Sequence, residues 1–369
     1  LMDQICAKKT VRRNKETNKT LCISAIKTIA IASSKLIEFY HKGSTTLYSE
    51  SGLFDCYKAL HQHKKLFLTS SIDFVEDMLI GLAKLHTENI GLFSLEDKTR
   101  FKAFGKFSNG QVHVDFKSQN CVIFEGKNRR SVKLVDMDTM KRDRELISKI
   151  YCTYRNISPD AASTYLGVEN SRAVTIYDDS WALGCTLYEI VFGITLYREH
   201  PEKSLIKMLQ EIASTTQACI DAKINAPIPV EVLKLLGEKP LQAVLDYLKK
   251  HQPELKLECT ERELLQSQLG RREAKRLIGM MKGLLMVAPD HRLTPDQAHN
   301  IYYMAERKLR SNPDEDFDSP ISDLSEEHSL LDLDPDYVEL KIEDSVWVIQ
   351  SAVREFLQKI HKRRRKLAN

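Results

Sequence analysis

No two of the eight cysteines in this 369-residue chain stand at CxxC spacing. Cys6, Cys22, Cys56, Cys121, Cys152, Cys185, Cys219 and Cys259 are scattered along it. That pattern excludes the common zinc-ligand spacings and a dense disulfide framework, and it predicts free thiols in a reducing, cytoplasmic setting. There is no apolar run near the ~20 residues that span a bilayer, and no secretory leader pattern. A GxGxxG phosphate-cradling loop is missing too. Charge of one sign does not dominate: the net value is +4, with 29% charged and 42% hydrophobic residues. Such totals allow one large two-lobed domain with an appendage, or two ordinary domains.

What is present changes character along the chain. Residues 1–50 alternate short apolar runs with polar spacers, which predicts strands with at most one helix. Phe74, Val75, Met78, Leu79, Leu82, Ala83 and Leu85 recur at helical spacing and predict an amphipathic helix from about residue 71 to His86. Residues 87–112 read as a long loop or insertion. Short strands are expected at Val112–Val114, Cys121–Phe124 and Val132–Val135, then a strongly apolar helix from Asp179 to Gly193 and further helices to about residue 309. Residues 312–344 hold thirteen Asp or Glu against one Lys, too little apolar surface to fold alone and therefore an expected linker. From Arg354 to Lys366 the sign inverts, with seven basic residues and one acidic.

The sharpest feature is His113-Val114-Asp115-Phe116-Lys117-Ser118-Gln119-Asn120, followed sixteen residues after Asn120 by Asp136-Met137-Asp138. An Asp two residues from a Lys, an Asn three further on, and a second Asp closing the next strand pair together suit phosphoryl transfer. That chemistry needs a base for the acceptor hydroxyl, a cation near the moving phosphate and oxygen ligands for Mg²⁺. HxDxKxxN followed by a strand and a D-x-x loop resembles the catalytic and metal-binding loops of protein kinases. Tyr151 to Asp160, with Ser158-Pro159-Asp160 where Ala-Pro-Glu is usual, is similar to the end of a kinase activation segment. Asp179-Ser180-Trp181-Ala182-Leu183-Gly184 resembles the buried helix that anchors the catalytic loop, and Pro289 to Thr294 resembles the late arginine motif. Ile37–Tyr40 with Gly52–Asp55 looks like the hinge and the helix after it. The resemblance covers about residues 1–305.

The resemblance implies Asp115 as catalytic base and Lys117 as the cation at the transferred phosphate, the pattern of Ser/Thr kinases. It implies Asn120 and Asp136 as ligands of Mg²⁺ and ATP, and Thr153 beside the substrate site. His113, Asp160, Asp179 and Arg292 would be structural: Asp160 and Arg292 as a buried ion pair, Asp179 as the tie of the catalytic loop. Lys8, in Ile5-Cys6-Ala7-Lys8, resembles the ATP-binding lysine, with Glu16 as a candidate partner; the first two strands would then lie upstream of Leu1. The chain departs from the pattern at Val114, where an arginine normally bridges to a phosphorylated activation loop. It departs again at Met137-Asp138, where Phe-Gly is usual and Asp138 would add a carboxylate beside the metal. Residues 87–112 exceed the usual connector by roughly twenty residues.

Ile349-Gln350-Ser351-Ala352-Val353-Arg354 opens like the calmodulin-binding IQ motif, with Glu355 where glycine is usual. At about 100° per residue, Ile349, Val353, Phe356, Leu357 and Ile360 share a helix face, with Trp347 opposite. A basic amphipathic helix with an aromatic anchor fits capture by calmodulin or a calmodulin-like protein. The competing readings are a terminal helix packed on the catalytic lobe, an anionic membrane surface, and a nuclear-import or nucleic-acid patch at Lys362–Lys366. Nucleic acid is the weakest of these, because interleaved aromatics are lacking.

The expected architecture is α+β, a protein-kinase-like two-lobed fold with an incomplete β-rich N-lobe and a mainly α-helical C-lobe. Residues 1–50 are assigned to the partial N-lobe and hinge, 51–310 to the C-lobe, 311–344 to the acidic linker and 345–369 to the basic helix. The expected activity is transfer of the γ-phosphate of ATP to Ser or Thr of a protein substrate. Two alternatives stay open: a pseudokinase scaffold without turnover, and a kinase-fold glutamylase or adenylyltransferase activated by calmodulin.

Overall fold

The computed structural model describes residues 6–12, 37–41, 44–50, 53–87, 92–93, 103–104, 110–125, 129–136, 139–147, 152–167, 171–197, 205–251, 253–254 and 256–304. The expectations for Glu16, Met137, Asp138 and the whole tail with Trp347, Ile349, Gln350, Arg354 and Phe356 lie outside the described residues.

Strands β1 (Cys6–Arg12), β2 (Ile37–His41) and β3 (Ser44–Glu50) form an antiparallel sheet in the order β1–β3–β2. Lys8 stands opposite Tyr48 in this register. The structure corrects the reading of Ile37–Tyr40 as a hinge, because Phe39 pairs with Thr46 inside the sheet. The alternation of β-branched and aromatic residues on both strands is what a pleated surface accepts.

Beyond the sheet, β4 (Phe54–Asp55) leads into α1 (Cys56–Gln62), whose first turn is capped by the Asp55 carboxylate accepting from Lys58 N at 2.7 Å. Helix α2 (Lys64–Thr69) is short; α3 (Ser71–Thr87) is the long amphipathic helix that the apolar spacing predicts, with Phe74, Met78, Leu82 and Leu85 buried on one face. Within the segment read as a loop, β5 (Leu92–Phe93) pairs with β6 (Ala103–Phe104). The chain returns at Gly110, where an added Cβ would lie 1.5 Å from the His86 carbonyl oxygen, so no side chain fits there.

Then follow β7 (Gln111–Val112), β8 (Cys121–Phe124) and β9 (Ser131–Leu134), with a sheet in the order β4–β8–β9. Strand β10 (Lys141–Arg142) pairs with β7, and β11 (Leu146–Ile147) pairs with β12 (Arg172–Ala173) across α4 (Pro159–Tyr165). Helix α5 (Ile176–Phe192) opens on a capping box between Thr175 and Asp178 and is buried at every residue from Asp179 to Val191. A helix buried on all sides belongs at the centre of a fold, and the others follow it: α6 (Leu205–Ala213), α7 (Gln217–Ile224), α8 (Val230–His251), α9 (Cys259–Leu284) and α10 (Pro295–His299).

Helices α8 and α9 form an antiparallel hairpin. Its far half has a small core of its own, Val244, Leu248, Leu257, Leu265 and Leu269. The near half of α9 contributes Leu277, Met281 and Leu284 to the main core. The two helices cross at glycines: a Cβ on Gly270 would meet Leu233 O at 1.8 Å, and one on Gly237 would meet Gln266 O at 2.0 Å. This hairpin is longer than a sequence expectation of several further helices conveys. The expected α+β class holds, with the described helices outweighing the strands.

Candidate active site

The site is built on the turn between β7 and β8. Two consecutive amides, His113 N and Val114 N, converge on the Asp179 carboxylate at 2.7 and 2.9 Å. Aiming successive N–H groups at one acceptor requires a left-handed residue, and Val114 takes it with φ 70°. For a β-branched side chain this conformation costs on the order of 1–3 kcal/mol and persists only where its surroundings impose it. Asp179 is 0% exposed, and His86 at the end of α3 gives it a third contact, Nε2 to Oδ2 at 2.9 Å. The His113 ring donates from Nε2 to Val135 O at 3.0 Å, which ties the turn to the strand end before Asp136.

This anchoring places Asp115, Phe116 and Lys117. Lys117 Nζ lies 2.6 Å from Asp115 Oδ2 and 2.7 Å from Thr153 Oγ1, while Thr153 N donates to Asp115 Oδ1 at 2.6 Å. Asn120 Nδ2 donates to Asp115 O at 2.8 Å and more loosely to Asp115 Oδ2 at 3.3 Å. The structure therefore brings Asp115, Lys117, Asn120 and Thr153 together, although Thr153 lies far along the sequence. An ionised carboxylate has about four lone-pair sites; those of Asp115 are only partly used, leaving room to accept a proton.

Asp136 follows Val135, whose amide donates to Asn120 O at 2.9 Å, so Asn120, just before β8, and Asp136, just after β9, are brought to the same end of that strand pair. Asp136 is exposed and left-handed at φ 62°. With the Asn120 amide nitrogen committed to Asp115, its carbonyl oxygen and the Asp136 carboxylate are the oxygen donors at this end of the site. Among the described residues no three His, Cys, Asp or Glu side chains gather as a metal cage. Two oxygen donors suit a small hard cation that keeps waters and binds together with phosphates.

Asp160 and Arg292 meet at Arg Nη2 to Oδ1, 3.3 Å. The expectation of a buried pair needs correction. Arg292 is buried, but the Asp160 side chain is 34% exposed, and its shorter contact at 2.6 Å is to Arg172. Arg292 spends its other donors on the Met286, Tyr177 and Val287 carbonyls and lies over the Trp181 ring at 5.0 Å. Burial pushes the Asp160 carboxyl up, but Arg292 and Arg172 outweigh it and hold it below its ordinary range. Lys8 is on β1, away in sequence from this loop, and Glu16 is outside the described residues.

Sequence reasoning missed three partners. His86 lies 93 residues from Asp179, and a lone histidine ending an amphipathic helix gives no signal. Arg172 belongs to no motif. Ser118, inside the motif, donates to the buried Glu189 of α5 at 2.6 Å, and Glu189 is in turn 3.7 Å from His61 of α1; only the spatial proximity of the two helices reveals that chain.

The family description "Protein kinase domain" matches residues 106–304, more than half of the chain. The chain belongs to the protein kinase family. It is similar to the serine/threonine-protein kinase MPS1 of Encephalitozoon cuniculi, 26% identical over 190 residues, which are 49% of this chain and 27% of that protein. It is also similar to the 3-phosphoinositide-dependent protein kinase 1 of Arabidopsis thaliana, 30% identical over 103 residues, 26% of this chain and 20% of that protein. The chain thus spans about a quarter of the length of the curated relatives it matches. A protein kinase domain implies ATP, a divalent cation and a protein substrate. For this kinase the matched span contains every site residue just described between Asp115 and Arg292.

Proposed function

We propose that this kinase moves the γ-phosphoryl group of ATP to a Ser or Thr hydroxyl of a protein. The observation that carries the reading is the position of Lys117 Nζ, 2.6 Å from the Asp115 carboxylate and 2.7 Å from the Thr153 hydroxyl. An acceptor hydroxyl entering beside Thr153 would meet Asp115 as proton acceptor and Lys117 as the charge that steadies the transferring group. Asn120 and Asp136 would hold Mg²⁺, which supplies charge neutralisation across the phosphates. Lys8 would reach the ATP phosphates from β1. His113, Asp160, Asp179 and Arg292 act as scaffold for these groups.

The basic tail, with Trp347, Ile349, Gln350, Arg354 and Phe356, would be captured by calmodulin or a calmodulin-like protein; the charge inversion between residues 312–344 and 354–366 motivates this. An anionic membrane is the competing surface. The free thiols of Cys56, Cys121, Cys152, Cys185, Cys219 and Cys259 support a cytoplasmic setting. A pseudokinase is the second reading, favoured by Met137-Asp138 in place of the usual Phe-Gly beside Asp136.

The test is transfer of γ-labelled phosphate from ATP–Mg²⁺ to a generic basic protein, with and without Ca²⁺–calmodulin. Asp115→Asn should lower the rate by ~10²–10⁴, and Asp136→Ala should abolish label. Deleting residues 345–369 should remove any calmodulin dependence. No label on any hydroxyl acceptor would give the pseudokinase reading, and an α-labelled or glutamyl adduct would give the alternative kinase-fold chemistry.

A further inference from the structure

The segment carrying Thr153 touches the catalytic loop from outside, so something must hold it there. In the wider family pattern an arginine takes the place of Val114 and ties this segment through an added phosphate. Here position 114 is apolar and its backbone is given over to Asp179. The tie lies elsewhere.

Arg172 ends the excursion between α4 and α5. Pairing of β11 with β12 sets Ile147 opposite Arg172, and the contacts continue on both sides: Arg144 N donates to Val174 O at 2.6 Å and Val174 N to Glu145 O at 2.9 Å. Ile176 N donates to Asp143 Oδ1 at 3.2 Å. The Arg172 side chain is 9% exposed and grips two carboxylates at once, Nη1 on Asp160 Oδ2 at 2.6 Å and Nη2 on Asp178 Oδ1. Asp160 is the second residue of α4, whose N-cap is Ser158 at the end of the stretch from Thr153, and it is also held by Arg292. Asp178 caps the central helix α5 by accepting from Thr175 N at 2.9 Å, and Ser158 Oγ reaches the same carboxylate at 3.3 Å. One guanidinium therefore joins the end of the substrate-side segment to the start of the helix that anchors the catalytic loop. Burial alone would lower the guanidinium's proton affinity, yet Asp178 and Asp160 outweigh it, so the cation is favoured where it sits.

The space beside it is small. Val114, Cys152, Asn156, Ser158, Arg172 and Asp178 line a cavity of about 20 Å³, room for roughly one water molecule. A phosphoryl group would not fit there without displacing the wall. Cys152 is not a reactive thiol at this wall, since burial pushes it up to about 12.

We propose that Arg172 is a positioning residue for phosphoryl transfer: by bridging Asp160 and Asp178 it seats Thr153 on Asp115 and Lys117 with no phosphate on the segment. The proposal rests on the kinase reading for its catalytic consequence, but its structural half stands separately. Fork geometry is the reason for arginine here, because a lysine ammonium is a point charge and cannot present two parallel donors to two carboxylates.

The experiment compares the full chain with Arg172→Met and Arg172→Lys, each before and after phosphatase treatment. Amide exchange is read at Arg144, Thr153, Ile157 and Val174, with Leu183 and Leu187 of α5 as the internal reference for global stability. In Arg172→Met the first four amides should exchange at least about tenfold faster while the reference stays protected, and Arg172→Lys should recover part of the protection. With transfer measured, kcat/KM for the protein acceptor should fall about tenfold in Arg172→Met with KM for ATP unchanged. Phosphatase should alter neither readout in the wild type. Unchanged exchange in Arg172→Met, a loss spread equally over α5, or loosening of the wild type by phosphatase would each overturn the proposal. If the wild type transfers no phosphate, the kinase reading fails, and the exchange data still decide what Arg172 holds.

Discussion

Two regions of this kinase are held together by opposite means. Around the N-terminal end of α5, carboxylates and guanidinium groups do the fixing: the buried Asp179 takes two amides and a histidine, and Asp160 and Asp178 share Arg172, with Arg292 completing the set. The far half of the α8–α9 hairpin has a core of Val244, Leu248, Leu257, Leu265 and Leu269. There the helices approach until backbone meets backbone at Gly237 and Gly270. Charged anchors are directional, and they hold a strained turn such as that at Val114 in one place. Apolar contacts and small residues are not directional; they hold helices together but leave no side chain aimed at a substrate. The contrast separates the part of the molecule that positions chemistry from the part that extends its surface.

The largest effect should come from the charged region. Asp179→Ala would orphan His113 N, Val114 N and His86 Nε2 in a buried place, at roughly 1–3 kcal/mol for each unsatisfied group. A loss of at least about 3 kcal/mol is expected in urea unfolding, together with loss of transfer. Equal stability of this variant and the wild type would break the comparison.

A middle-sized effect belongs to the hairpin. Gly270→Ala gains about 1 kcal/mol of helix propensity but drives a methyl group into the Leu233 carbonyl, and overpacking of this kind costs about 1–3 kcal/mol. The expected outcome is faster amide exchange in α8 and the first half of α9, with kcat unchanged. A drop in kcat would mean the hairpin is coupled to the site and would remove the distinction.

The smallest effect is confined to acid. The Asp160 carboxyl is depressed in the folded protein, so its contribution is fully present above its ordinary value of 3.8 and is lost as pH falls through the folded value. Comparing Asp160→Asn with the wild type, the stability difference of the 152–160 segment should be constant above 3.8 and shrink below it. A difference that instead grew in acid would show that the pairs with Arg172 and Arg292 are not what holds this residue.

The catalytic loop was legible in the sequence because its chemistry is local. Asp115, Lys117 and Asn120 fall within six residues, and the strand pair that delivers Asp136 follows directly. The anchor at Asp179 was legible through the resemblance of residues 179–184 to the kinase helix that ties down the catalytic loop, which implies buried partners. Their identities were not legible, since His86 and Arg172 are joined to their carboxylates only by the fold and carry no spacing signal. Nor could the pattern tell that Ile37–Tyr40 is part of an edge strand of the sheet, because a β-branched and aromatic stretch reads alike in a strand and in an extended connector. The Gly237–Gly270 crossing escaped because two glycines 33 residues apart look like loop punctuation until the helices containing them meet.

The backbone at Gly110 rests against the His86 carbonyl, so the excursion over residues 88–109 departs and returns at nearly one point. Closing a loop whose ends already touch depends only weakly on its length, about 0.6 kcal/mol for each doubling. The lobe is thus indifferent to what is threaded there: a short turn, the present stretch or a whole grafted module would meet the same doorway. A change of length at that doorway should leave the contact between His86 and Asp179, immediately behind it, in place.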